Sequence, residues 1–153
     1  MESEHKNNQE RILSRAFRLA KMPILLSFIV TPLRFLLEYS GLPEYAIFLI
    51  GLLWLTLAFA IYWGIKLYNQ HYVYLLIFLS LVIFAPISRL SVVLAWWVDT
   101  KWDLGTHYGD FFDTLPQTLL NQGLYGALVQ IIPGFILGAL TVVIMRKIKP
   151  IKD

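Results

Sequence analysis

"YVYLLIFLSLVIFAPISRLSVVLAWWV", residues 72–98, carries one formal charge, Arg89, in a run long enough to cross about 30 Å of hydrocarbon at about 1.5 Å per helical residue. Such a stretch reads as a transmembrane helix and decides the fold class. Three further stretches reach a similar length with ragged ends: 22–39, 45–67 and 122–145. Together they take up most of the 153 residues, so the expectation is an all-α integral membrane protein, a four-transmembrane-helix bundle without a separate soluble domain. Composition agrees, because 58% hydrophobic residues and a mean hydropathy of +0.62 are more apolar than a soluble domain of this size could bury.

Charge distribution orients the bundle. The leader 1–21 holds Lys6, Arg11, Arg15, Arg18 and Lys21, the tail 146–153 holds Arg146, Lys147, Lys149 and Lys152, and the turn between spans two and three adds Lys66. The connection 38–44 carries only Glu38 and Glu44, and the loop 99–121 sets four aspartates against Lys101. Basic flanks stay on the cytoplasmic side, which predicts an N-in/C-in topology; four spans require the same result. The chain is therefore expected to be integral to the cell membrane, the cytoplasmic membrane in a bacterium. A cleaved signal sequence fits poorly, since the polar leader is long, Pro32 and Arg34 interrupt the first span, and no A-x-A-like site follows.

Within the leader, Ile12, Leu13, Ala16, Phe17 and Ala20 recur at helical spacing opposite Arg11, Arg15 and Arg18. This pattern predicts an amphipathic helix from about residue 10, lying on the inner leaflet with its cations on anionic lipid. A merely basic, topology-setting leader is the plainer alternative. The bilayer itself is the expected partner, and no nucleic-acid partner is expected.

Counting down from each outer boundary at about 1.5 Å per residue places Arg34 about 6 Å deep, Thr31 about 11 Å, Gln130 about 12 Å and Arg89 about 13 Å. Spans one, three and four thus share an outer-half polar layer of Thr31, Arg34, Ser88, Arg89 and Gln130. A charge at that depth calls for a partner or a function. For Arg34 the favoured account is a local i,i+4 pair with Glu38. For Arg89 the candidates are Glu38, Gln130, carbonyls freed by Pro86, or an anion entering from outside. The functional alternative to structural pairing is a ligand site in which Arg34 and Arg89, with Thr31 and Gln130, hold a phosphate or carboxylate headgroup, as guanidinium suits bidentate oxyanions.

Span four, "GLYGALVQIIPGFILGALTVV" (123–143), repeats small residues: Gly126, Gly134 and Gly138 share a face with Gln130, including G-x-x-x-G at 134–138. Such a face lets helices approach closely, within one chain or in a homo- or hetero-oligomer.

The long loop offers Asp99, Asp103, His107, Asp110 and Asp113 as a polar cluster able in principle to bind a cation or move protons. No metal-binding spacing appears, so no metal is expected and a solvated acidic surface is the favoured account. Its interleaved aromatics, including Trp102, Tyr108 and Phe112, predict that it folds back over the bundle mouth. Gly105 and Gly109 allow tight turns, and Thr114 with Gln117 fits a capping box with Pro116 in the first turn. A helix running unbroken from 115 to 145 would span about 46 Å, so a break or bend is expected near Gly123.

The absence of cysteine excludes thiol chemistry and disulfides. No nucleophile elbow, phosphate-binding glycine loop or paired intramembrane carboxylate is present, so the sequence specifies no enzyme and no cofactor. Three functions fit, in this order: a subunit, assembly or accessory factor acting through helix contacts; an anionic lipid- or phosphate-binding protein or enzyme with an outer-leaflet site at Arg34 and Arg89; and a small transporter.

Overall fold

A computed structural model describes residues 2–47, 49–110 and 112–150; Phe111 and Lys152 therefore lie outside the described residues. The fold is all-helical, with no strand among those residues. Its elements are α1 (Glu2–Tyr39), α2 (Glu44–Ile47), α3 (Leu52–Leu67), α4 (Val73–Trp102), α5 (His107–Asp110), α6 (Leu115–Leu120) and α7 (Ala127–Ile148), with a π-helical segment, Asn121–Gly126, joining the last two. Three stretches are long and apolar enough to cross a membrane: Gln9–Tyr39, Val73–Trp102 and Leu115–Ile148.

The stretch expected as one span over 45–67 is divided. Its helical core α3 has 16 residues, about 24 Å, and begins after Gly51, whose extended backbone (φ −159°, ψ 162°) interrupts the helix. Before it, Gly41 closes α1 with a positive φ of 86°. The Gly41 N–H donates to the Glu38 carbonyl at 2.9 Å and the Leu42 N–H to the Leu37 carbonyl at 3.2 Å, a Schellman closure that glycine makes without steric cost.

The leader is helical and continuous with the first span: residues 2–39 form one 38-residue helix, α1, and Ile12 and Leu19 of the leader pack against the core cluster. Ala16 and Ala20 are fully buried, and the Ala16 carbonyl accepts from Ser80 Oγ at 3.4 Å. Leu13 and Phe17 remain exposed.

The 115–148 stretch contains no break. Where a break or bend was expected near Gly123, the chain stays helical and forms a π-helical turn, Asn121–Gly126, which adds a residue to the local register. Thr114 occupies the N-cap position with Pro116 just inside, but its side chain makes no capping bond; the expected capping box is absent, and the Thr114 carbonyl accepts from the Thr118 N–H at 3.0 Å.

Two apolar clusters bracket the molecule. At the end where α1 begins and α7 ends, Trp63, Leu76, Ile77, Leu81 and Val142 join α3, α4 and α7. The glycine face serves this packing: a Cβ on Gly134 would stand 3.0 Å from Thr56 Cγ2, and one on Gly138 3.1 Å from Ile77 Cγ2. At the other end, Phe35, Ala95, Trp96 and Tyr108 pack with Leu104 and Phe112, so the long loop does close over the bundle. The polar layer lies between the clusters.

Candidate functional site

Arg89 projects from α4 between α1 and the π-helical segment. Gln130, with its carbonyl turned to the guanidinium, accepts from Nε at 2.9 Å and Nη2 at 3.1 Å, and its amide donates to Ser88 Oγ at 3.3 Å. The opposite amide orientation would set donors against donors. Nη1 donates to Gln122 Oε1 at 3.1 Å. Both partners are neutral amides, so Arg89 is hydrogen-bonded without being neutralised. Ser88 Oγ in turn donates to the Ala85 carbonyl at 2.7 Å.

Room for this arrangement comes from Gly126, where an added Cβ would lie 3.1 Å from Arg89 Nε and 3.2 Å from Cζ. The π-helical turn holds both Gln122 and Gly126 in the stretch beside Arg89.

Glu38 does not pair with Arg34. Its Oε2 lies 2.5 Å from His107 Nδ1, and its Oε1 accepts the His107 backbone N–H at 2.6 Å. Two contacts from one residue outcompete the i,i+4 geometry and tie the end of α1 to α5. Among the described residues no other ion pair forms. Arg34 Nε is left buried with no hydrogen-bond partner.

Arg34, Arg89, Thr31, Gln122, His107 and Tyr108 line a cavity of about 380 Å³, whose apolar walls include Leu52, Trp54 and Trp96. That volume falls in the range of small-molecule sites. Thr31 is oriented by Ser91, which donates to Thr31 Oγ1 at 2.8 Å. Tyr108 is 7% exposed, its ring 5.7 Å from that of Phe35. Burial pushes the Tyr108 phenol up to about 12, with the field of Arg34 acting in the opposite direction, so at neutral pH it remains a neutral hydroxyl.

The aspartates of the loop do not converge. Asp99 is buried and turned toward backbone: Oδ1 accepts the Thr106 N–H at 3.2 Å and Oδ2 the Gly109 N–H at 2.7 Å. Asp103 ends α4 in the left-handed region with φ 50°, while Asp110 and Asp113 are exposed. Among the described residues, no three His, Asp or Glu side chains come together as a metal site.

Sequence reasoning placed Thr31, Arg34, Arg89 and Gln130 in one layer, and the structure brings them to one region. It missed Gln122, Ser91 and Tyr108. Gln122 looked like a span boundary, and only the need for a bend near Gly123 pointed to it. No protein-family model, curated protein or solved structure matches this chain, so its site stands on its own geometry.

Proposed function

We propose that this chain is a four-crossing membrane protein with both termini cytoplasmic, whose outer half binds an anionic oxygen ligand, a phosphate or carboxylate headgroup, between Arg34 and Arg89. The division of cations and carboxylates between the two ends supports the orientation. In this reading α3, extended by the 44–51 connection, makes the fourth crossing.

The observation that supports the ligand is the buried, unpartnered Nε of Arg34, a residue that lines the cavity, while the carboxylate one turn on, Glu38, is committed to His107. A buried donor left unpaired costs about 1–3 kcal/mol, more when it carries charge. A phosphate oxygen at that position recovers the loss and meets Arg89, which after its three bonds to Gln122 and Gln130 retains one N–H on each terminal nitrogen. Thr31 and Tyr108 add neutral polar side chains to the same cavity lining.

The subunit or assembly-factor reading drew on Gly126, Gly134 and Gly138. With that face packed inside the chain, the reading keeps only exposed apolar helix flanks, which lipid covers equally well.

Thermal unfolding in detergent separates ligand binding from structural pairing. Glycerol 3-phosphate at a hundred times its Kd should stabilise the wild type by about 2.7 kcal/mol. Arg34→Leu should abolish that gain while raising the ligand-free stability by about 1 kcal/mol, because it removes an unpaired buried donor. Destabilisation of the ligand-free chain by Arg34→Leu, with the glycerol 3-phosphate gain intact, would contradict the proposal.

A further inference from the structure

The opposite end of the molecule carries a second cationic recess. Arg11, Arg15 and Arg18 on α1 and Lys66 on α3 line an open cleft of about 790 Å³, with Glu10 as its one carboxylate. All four cations are exposed, and among the described residues none of them forms an ion pair. Lys66 is positioned rather than free to swing: its Nζ donates to the Tyr62 hydroxyl at 3.0 Å and lies 5.3 Å from that ring's centroid.

Arg18, Leu19 and Lys66 are shared with a second recess of about 500 Å³, which continues between the same two helices over Met22, Ala58, Phe59 and Trp63. The upper recess is cationic and the lower one apolar. Met22 is 59% exposed although it faces this recess, so the described residues leave the apolar wall uncovered.

From this juxtaposition we infer that the α1–α3 cleft holds one anionic glycerophospholipid, its phosphate among Arg15, Arg18 and Lys66 and an acyl chain along Met22, Ala58 and Phe59. Charge selects the occupant. A second copy would present the same cations, and the tail beyond α7 is itself basic through Lys149, so both are repelled. A soluble anion satisfies the upper recess but leaves the lower one uncovered. A phospholipid fills both, with the head-to-chain order that the cleft presents.

Native mass spectrometry of the full chain in detergent, with equal amounts of phosphatidylglycerol and phosphatidylcholine, tests this. One phosphatidylglycerol should be retained under activation that strips phosphatidylcholine. Retention should fall at least tenfold in Arg15→Gln/Arg18→Gln, and also in Ala58→Trp, which leaves every cation but fills the apolar recess. Arg34→Gln should keep this lipid, which separates the cleft from the site at the other end. Circular dichroism confirms that each variant is folded, and Ala58→Trp decides the matter if the double variant does not fold. Equal retention of the two lipids, retention unchanged in Ala58→Trp, or displacement of phosphatidylglycerol by an equimolar amount of glycerol 3-phosphate would overturn the inference.

Discussion

The guanidinium of Arg89 lies directly against the Cα of Gly126. A methyl group added at Gly126 would come within 3.1 Å of Arg89 Nε and equally near Gln122 Oε1, which is held by Arg89 Nη1. Neither neighbour is a loose side-chain end, since Gln130 fixes Nε and Nη2 from the other side. Gly126→Ala should therefore overpack the polar layer and destabilise the chain by about 1 kcal/mol, and Gly126→Leu by about 3 kcal/mol. Gly123, where an added Cβ would meet nothing within 4 Å, is the control. Chemical denaturation in mixed micelles reads the difference: Gly123→Ala should stay within about 0.5 kcal/mol of wild type.

Asp99 holds the long loop to the bundle by accepting from the backbone of Thr106 and Gly109. The fit is tight, because a Cβ on Gly109 would stand 2.6 Å from Asp99 Oδ2. Removing the carboxylate orphans two backbone donors, at about 1–3 kcal/mol each. Asp99→Ala should release residues 103–110 to rapid amide hydrogen exchange while Ile77 and Val142, in the distant cluster, keep their protection. Uniform loss of protection along the whole chain would show that Asp99 acts globally instead.

Tyr108 ties the site to pH. Burial raises its phenol from 10.0 to about 12, so the folded chain keeps a proton that the unfolded chain releases across that window. Stability should be insensitive to Tyr108 below pH 10 and fall as pH rises from 10 toward 12. Tyr108→Phe removes this part of the alkaline loss. The tyrosinate absorbance difference between wild type and Tyr108→Phe should have its midpoint near 12; a midpoint near 10 would show an exposed phenol.

Helix content and the polar layer were legible because hydropathy and a rise of about 1.5 Å per residue are properties of the chain itself. Thr31, Gln130 and Arg89 could be set at similar depth by counting alone, with Arg34 about one helical turn nearer the boundary. Which groups bond was not legible. Glu38 had an arginine at i−4 and still turned to His107, because loop closure offered it a backbone N–H and an imidazole together. Gln122 was hidden by the π-helical turn, which breaks the 3.6-residue period on which face assignments rest. Gly64 lies four residues after Ala60 in a small-x-x-x-small pair that hydropathy counting passes over, and a Cβ there would fall 2.7 Å from Thr141 Cβ, a close approach of α3 to α7. The 45–67 run, read from hydropathy as one span, was interrupted at Gly51 by backbone geometry that composition does not encode.

Arg34 Nε–H is the donor on which the proposed anion site depends, and side-chain NMR observes it directly. In a ¹⁵N spectrum of arginine side chains, with the chain in micelles, added glycerol 3-phosphate should shift the Arg34 Nε–H resonance saturably, with a smaller shift at Arg89. The Arg34 resonance should be absent and the Arg89 shift lost in Arg34→Lys. An Arg34 Nε–H resonance that stays fixed while surface arginines such as Arg11 respond would contradict an anion site between Arg34 and Arg89.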